Sequence, residues 1–459
     1  MRITRRTLLA GAGTSAIAVL LAACTPEPTP TKTTKPPAPK PSAPPNVPQP
    51  AALKRSTWAS DPYSLGSVSY LPAGADPKQR STLADPILDR LFFAGEATAV
   101  TASGTVLGAV DSGRRTALAV ISSASDTERI AVIGAGASGV VAARMIADAG
   151  HEVTIFEARD RSGGRILSSA ADDEWPIRPQ LGAWLLNAEE LGGLGDRLID
   201  VTEETLTFDS ATGWSEEGAI DTVSGTALDE ALAKAAGLPS DVSLSEALTQ
   251  NGADPADPSL AASLAWLAAT SGVDPNRASS WYPPSFAPDE LQGLTGDLGA
   301  FIDEHLADLS VTLASPVVRI AYDDRGASLR LGTGEALSYD RVVVTTPIGV
   351  LQSQSIEFAP ALPFAHRSAI AAIAPGYIET VWMRFDEPFW ETDALIWHVV
   401  GGDGLIRTWL NLLPATGEPV LVGLVGGEDA AQFASLTERD AAVAARASLA
   451  FFVPAADEG

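Results

Sequence analysis

Three glycines, Gly134, Gly136 and Gly139, follow a short β-branched run, Arg129 to Ile133, in the segment IAVIGAGASG. A strand that ends in G-x-G-x-x-G and opens into a helix forms a cradle for a dinucleotide diphosphate. In such a loop Gly134 makes the tight turn, Gly136 lets the backbone approach the diphosphate, and Gly139 permits close packing of helix on strand. The helix start adds unpaired N–H groups and the positive end of a dipole. Glu157 closes the next strand, HEVTIFE, 18 residues after Gly139, where a carboxylate can accept from both ribose hydroxyls. The glycine pattern alone also fits a plain turn. Strand, loop, helix, strand and acid together, in about 30 residues, favour the dinucleotide site.

The continuation, Glu157 to Arg165, reads EARDRSGGR, with a second glycine pair and a closing arginine. It resembles the E-A-R-x-R-x-G-G-R extension of the flavin-containing amine oxidase superfamily, which includes monoamine and polyamine oxidases, L-amino acid oxidases and histone lysine demethylases. The resemblance implies FAD as cofactor, with Ser138, Glu157, Arg159, Gly164 and Arg165 among its contacts. Gln180 to Leu185 (QLGAWL) resembles the family segment beside the flavin, which makes Trp184 and Leu185 neighbours of the ring. Val317, in VVRI, resembles the valine that touches adenine.

Two further segments lie ahead of the glycine loop. Trp58 to Ser67 (WASDPYSLGS) is similar to the family's W-x-x-DP-x-x-x-GS element, and Leu91 to Thr98 (LFFAGEAT) to its FAGE segment. By resemblance Glu96 contacts the diphosphate or ribityl region. The Thr105 and Val106 backbone meets the flavin pyrimidine at a helix N-terminus, where positive potential stabilises anionic reduced flavin. Ser67 stands near the position where covalent members place a cysteine, so FAD is expected to be held without a covalent bond.

In the family the glycine loop opens the chain and the FAGE segment closes it. The reversed order here implies a circular permutation: an α/β fold with a Rossmann-type FAD-binding domain and a discontinuous α+β substrate domain. The expected boundaries are 1–24 signal peptide, 25–50 Pro/Thr-rich linker, 51–190 FAD-binding domain, 191–291 helical part of the substrate domain, 292–352 FAD-binding domain continued, and 353–459 substrate domain continued. Leu194 to Pro284 reads as mostly helical. Strands are expected at TVWMRF, LIWHVV and VLVGLVG, and a C-terminal helix over Thr437 to Phe452.

Family membership implies oxidation of an amine or amino acid by hydride transfer to flavin N5, with oxygen or another acceptor taking the electrons. Most catalytic members carry a lysine where this chain has Thr380, and the two aromatic cage positions fall on Val68 and Thr105. An FAD dehydrogenase or desaturase for a non-amine substrate, or a flavin-binding protein without turnover, is the alternative. No catalytic side chain is assigned. Trp184, Trp397 and Trp409 are candidate cavity walls, although tryptophan is more often core.

Of the 459 residues, 46% are apolar and 19% charged, the balance of a globular chain, and the net charge is -26. So acidic a surface repels phosphate backbones, which excludes nucleic acid as a partner. The four histidines (151, 305, 366, 398) lack metal-ligand spacing, and no metal site is expected.

The first residues read as an address. Thr4 to Leu9 (TRRTLL) resembles a twin-arginine export signal. The apolar run Leu8 to Ala23, 16 residues, is shorter than the roughly 20 of a membrane span. Leu21-Ala22-Ala23-Cys24 resembles a lipobox and holds the chain's single cysteine. A lipid on Cys24 would anchor the enzyme on the outer face of the bacterial cytoplasmic membrane. Thr25 to Pro50 is an extended proline-rich spacer.

Overall fold

Arg129–Ile133 (RIAVI) is too short and too apolar to be a surface element, and it forms the centre of a five-stranded sheet. Its neighbours are Glu152–Phe156 on one side and Arg341–Val344 on the other, flanked by Ser310–Thr312 and Leu91–Phe93. All four pairings are parallel. Parallel strands are covered on both faces, which is why RIAVI and RVVV read as continuous apolar runs rather than alternating ones. The computed structural model describes residues 46–170, 174–194, 202–215, 218–220, 226–254, 257–284 and 291–453, all within one compact unit. The signal and lipobox of residues 1–24 lie outside them. Among the described residues no helix is long and apolar enough to cross a membrane.

Two helices pack on this sheet. Ala137–Asp148 leaves the glycine loop, with Gly136 as its N-cap. Val106–Ser123 follows the FAGE turn. They touch through backbone: a Cβ on Gly113 would lie 2.4 Å from the Ser138 carbonyl oxygen. The connection between Ser123 and the central strand is pinned from below by buried Arg341. Its guanidinium pairs with Glu128 at 2.5 Å and donates to the Ser123 carbonyl, the Ser123 hydroxyl and the Asp89 carbonyl.

The second layer is a seven-stranded sheet in the order Ala52–Arg55, Ile378–Arg384, Val420–Gly426, Thr408–Asn411, Ile396–Val399, Ala211–Ser215, Gly218–Ile220. Trp382, Val422, Leu410 and Ile396 lie in one cross-strand row. They join the Rossmann-side core with Trp184, Phe208 and Trp266. The opposite face carries Val381, Trp397, Trp409 and Leu421 against helices Gly427–Ala434 and Glu438–Leu449. A four-stranded sheet built from Val317–Tyr322, Ala327–Leu331, Ala336–Tyr339 and Glu357–Ala359 completes the fold.

Two expectations need correction. The expectation that Leu194 to Pro284 is mostly helical does not hold for the described residues within 202–220, which carry strands. Thr202–Thr207 pairs antiparallel with Gln292–Gly296, and Ala211–Ser215 extends the seven-stranded sheet through Ile396–Val399. Tertiary pairing decides these strands, whose local composition carries little β signal. Among the described residues between Thr202 and Pro284, the helices are Thr226–Ala235, Leu244–Gln250 and Pro258–Ser271. The proline tract also ends earlier than Pro50: Val47 is fully buried, and its carbonyl accepts from the Arg446 guanidinium. A small apolar side chain among prolines has found a core to enter.

The loop–helix contact sets a sharp test. A Cβ on Gly139 would stand 2.0 Å from the Gly134 carbonyl oxygen, a backbone atom with no rotamer to change. Gly139→Ala should therefore cost about 3 kcal/mol of unfolding free energy in urea titration. A loss below about 0.5 kcal/mol would mean that the helix shifts freely and the contact is not a constraint.

Candidate functional site

The carboxyl ends of four parallel strands open into one cavity of about 870 Å³, lined by Gly134, Glu157, Thr345 and Glu96 where those strands finish. Ligands of open α/β sheets bind at such strand ends. Gly134 holds φ at +109°, a conformation that favours glycine, and a side chain there would strike the Thr345 hydroxyl at 2.5 Å. Gly136 is different. A Cβ on it would meet nothing closer than Gly164 Cα at 3.8 Å, so its backbone faces open space in the cavity. The helix starting there has no side-chain cap, and the Ser138 hydroxyl is buried without a protein partner. Free N–H groups, a positive dipole end and an unpartnered hydroxyl form an acceptor-binding cradle that fits a diphosphate.

Glu157 is buried beside this cradle. Its two oxygens accept from Ala135 N at 2.8 Å and Arg159 N at 2.9 Å, which fixes the carboxylate while leaving each oxygen further acceptor capacity for hydroxyls. Arg159 is held by Asp61 at 2.9 Å and the Ser64 hydroxyl at 2.7 Å, and packs over Trp58 and Tyr63. The tryptophan segment thus supplies the seat for an arginine of the glycine-loop unit.

A buried polar chain lies further along the wall. Arg165 donates to Glu96 at 3.1 Å and to the Ser67 carbonyl at 2.9 Å. The other Glu96 oxygen accepts from the Ser69 hydroxyl at 2.6 Å and from Gly104 N at 3.0 Å. The Ser69 hydroxyl in turn accepts from Arg80 at 2.8 Å. Burial depresses the Arg80 guanidinium pKa, and Glu96 works in the opposite direction. Two guanidinium groups around one carboxylate leave this wall net positive, the sign that suits an anionic cofactor.

Thr105 caps the helix Val106–Ser123, its hydroxyl accepting from Gly108 N at 3.0 Å. Val106 N is already engaged: it donates to Glu190 at 3.2 Å. Burial pushes the Glu190 carboxyl up to about 7 against opposing backbone hydrogen bonds from Asn187 and Val106. The helix N-terminus beside the cavity therefore carries a carboxyl that titrates near neutrality.

Of the residues singled out by sequence, Gly134, Gly136, Ser138, Glu157, Arg159, Gly164, Arg165, Leu185, Val317, Glu96, Thr105 and Val106 all line this cavity. Gly139 and Trp184 do not. Gly139 sits behind the cradle, as its packing role requires. Trp184 is buried beneath the wall, 5.1 Å from the Trp382 ring and edge-on to Phe208. Trp397 and Trp409 lie on the far face of the seven-stranded sheet, away from the cavity. Two tryptophans do line it: Trp58, and Trp266 together with Thr270, Ile378, Thr380 and Tyr282. Nothing local in the Ala-rich helix Pro258–Ser271 marks Trp266 out. Arg80 was likewise silent, since only the folded chain brings it to Ser69. The Thr380 hydroxyl is buried with no protein partner.

Residues 39–121 and 235–458 match the profile of the flavin containing amine oxidoreductases, and residues 132–190 that of the NAD(P)-binding Rossmann-like domain. The chain is 28% identical to polyamine oxidase 4 of Oryza sativa subsp. japonica, over 72% of this chain and 74% of that protein. It is 25% identical to lysine-specific histone demethylase 2 of Homo sapiens, over 68% of this chain and 42% of that protein. Among solved structures it resembles wild-type putrescine oxidase bound to putrescine, with a TM-score of 0.56 and 19% identity over 72% of this chain and 82% of that one, a likeness of fold. The cradle, the acid at Glu157 and the positive wall are the parts on which an FAD-dependent oxidoreductase is built, and the chain belongs to the flavin-containing amine oxidoreductase family.

Proposed function

We propose that the enzyme oxidises an amine or amino acid to the imine, which water then converts to a carbonyl compound and ammonia. FAD, when bound, supplies the two-electron acceptor, taking a hydride from the α-carbon of the neutral amine. Oxygen, giving hydrogen peroxide, or another acceptor then removes the electrons. The observation that carries this reading is a single cavity lined both by Ser138 of the diphosphate cradle and by Thr380 and Trp266. The names of the polyamine oxidase and putrescine oxidase relatives support an amine as substrate.

The chain's own contribution is positioning. Ser138, Glu157, Arg159 and Arg165 would hold the cofactor. Trp266 and Ile378 give the reacting end an apolar wall that excludes water. The Thr380 hydroxyl, uncharged and unpartnered, can donate to the lone pair of a neutral amine or accept from its N–H. Without a side-chain base, the rate depends on placing the α-carbon against the cofactor. Anaerobic bleaching of the flavin across a panel of amines, amino acids and polyamines, followed by peroxide measurement in air, tests the reading. Bleaching by an amine is expected. Bleaching only by non-amine donors would replace it with a dehydrogenase or desaturase.

We also infer that the domain is circularly permuted. Support comes from Leu91–Phe93, which precedes the glycine loop yet pairs into its sheet beside Arg341–Val344, and from the helix Val106–Ser123, which packs on the loop's own helix. The two described ends also meet, Arg446 donating to the Val47 carbonyl. A rearranged chain that starts at Asp126, so keeping Glu128 opposite Arg341, and carries residues 46–123 after Val453 through a short flexible linker should bind FAD with the same absorption spectrum. A colourless rearranged protein that is nonetheless folded would overturn the permutation.

Export by the twin-arginine route and a lipid on Cys24, on the outer face of the bacterial cytoplasmic membrane, complete the proposal. It rests on TRRTLL, the 16-residue apolar run and LAAC. Cys24→Ser should move the enzyme from the membrane pellet to the soluble fraction; retention in the pellet would remove the anchor.

A further inference from the structure

The cavity has a mouth as well as a floor. Tyr282 and Val100 line it while remaining 45% and 65% exposed, so they stand where the cavity meets solvent. Pro283 and Pro284 continue the same wall. An aromatic ring at an entrance is useful only if it is held still, because a mobile loop would give back in ordering entropy what the contact gains.

One carboxylate holds it. Asp241 lies between helices Thr226–Ala235 and Leu244–Gln250 and gathers hydrogen bonds from two distant parts of the chain. It accepts from Gly74 N at 2.7 Å, from the Ser279 hydroxyl at 2.9 Å, from Ser280 N at 3.0 Å, from the Ser280 hydroxyl at 3.1 Å and from Trp281 N at 3.2 Å. Ser279 then passes the constraint on, its hydroxyl accepting from Tyr282 N at 3.0 Å. Ser279 and Ser280 are fully buried, and the turn is tied on both flanks. Ser279 N donates to the Leu71 carbonyl, Leu244 N to the Ala278 carbonyl, and the Trp281 indole to the Leu238 carbonyl. Burial would raise the Asp241 carboxyl, but the hydrogen bonds from Gly74, Ser279, Trp281 and Ser280 outweigh it and hold the group below the usual range. A neutral side chain could not satisfy five donors at once.

We propose that Asp241 is a positioning residue for substrate selection. Through Ser279 it fixes Tyr282 as an entrance wall that favours amines with an apolar tail long enough to reach the mouth. The inference rests on the proposed amine oxidation. Tyr282, Val100, Pro283 and Pro284 carry no charge, so the part of the wall they form reads length and apolarity in the part of the substrate far from the reacting nitrogen, whereas Glu189 is an exposed acid elsewhere in the same lining. Asp241 touches neither substrate nor cofactor in this role.

The experiment compares kcat/KM for n-octylamine with that for n-propylamine in the full-length FAD-loaded protein and in Asp241→Ala, Tyr282→Ala and the double variant. Each single change should lower the octylamine-to-propylamine ratio about tenfold, mostly through KM for octylamine. The double variant should be no worse than either single one, because the two residues act through one wall. Losses that multiply in the double variant, or an equal fall for both amines, would overturn the proposal. Should Asp241→Ala fail to fold, Asp241→Asn keeps the test, since it retains size and loses acceptor capacity, and Tyr282→Ala changes only an exposed ring. Failure of the amine reading shows itself separately, as no bleaching of the unmodified enzyme by either amine. The same ratio is then taken on long and short members of whichever donor class does bleach it.

Discussion

The arrangement of this enzyme depends on one point of backbone contact. At the start of helix Ala137–Asp148, the Gly134 carbonyl fills the space that a side chain on residue 139 would take, and the Ser138 carbonyl fills that of a side chain on residue 113. Sheet, loop and both helices meet there at distances that leave no room for a Cβ. The approach lets two helix N-termini, at Val106 and Ala137, open on the same cavity. It also carries an energetic penalty, since glycine loses more freedom on folding than other residues. The buried strands RIAVI and RVVV offset that penalty through burial of apolar surface.

Around this contact the polar groups divide into two kinds. Arg165, Glu96, Ser69, Arg80, Arg159 and Asp61 are mutually satisfied, and they make a rigid wall whose charges are spoken for within the protein. The Ser138 and Thr380 hydroxyls are buried and lack protein partners. Leaving such a group unpaired costs about 1–3 kcal/mol, a cost that a bound molecule removes. Both line the same cavity. The satisfied wall is fixed before any ligand arrives, and the two unsatisfied hydroxyls retain hydrogen-bonding capacity for one.

Much of this was readable before folding, for a physical reason. A diphosphate cradle is local: glycine spacing, a strand end and a helix start lie within one stretch of chain, so Gly134 to Arg165 announces itself. Glu96 and Val106 were legible only through resemblance, because their place beside the loop depends on a strand pairing with Arg341–Val344, far away in sequence. Arg80, Trp266, Tyr282 and Asp241 were silent. Each acts through partners brought together by tertiary structure, and none stands in a pattern that a local period can reveal. Trp184, expected beside the ring from the resemblance of QLGAWL, does not line the cavity; its side chain packs inward against Trp382. The strands at Thr202–Thr207 and Ala211–Ser215 were missed because sheet edges, not residue types, decide them.

The burial of Val47 has a mechanical side. Any pull on the tract that precedes it reaches the folded body through Val47, its hydrogen bonds to Arg446, and then the edge strand Ala52–Arg55. That strand lies antiparallel to Ile378–Arg384, so tension along the chain loads a ladder of backbone hydrogen bonds in shear rather than peeling them one at a time. Arg55 pairs with Val381, the residue next to Thr380, and Ser56 bonds Thr380 N directly. A tethered copy of this protein would therefore bear load within one residue of Thr380 in the cavity wall, with Arg446 as the first fastening to give.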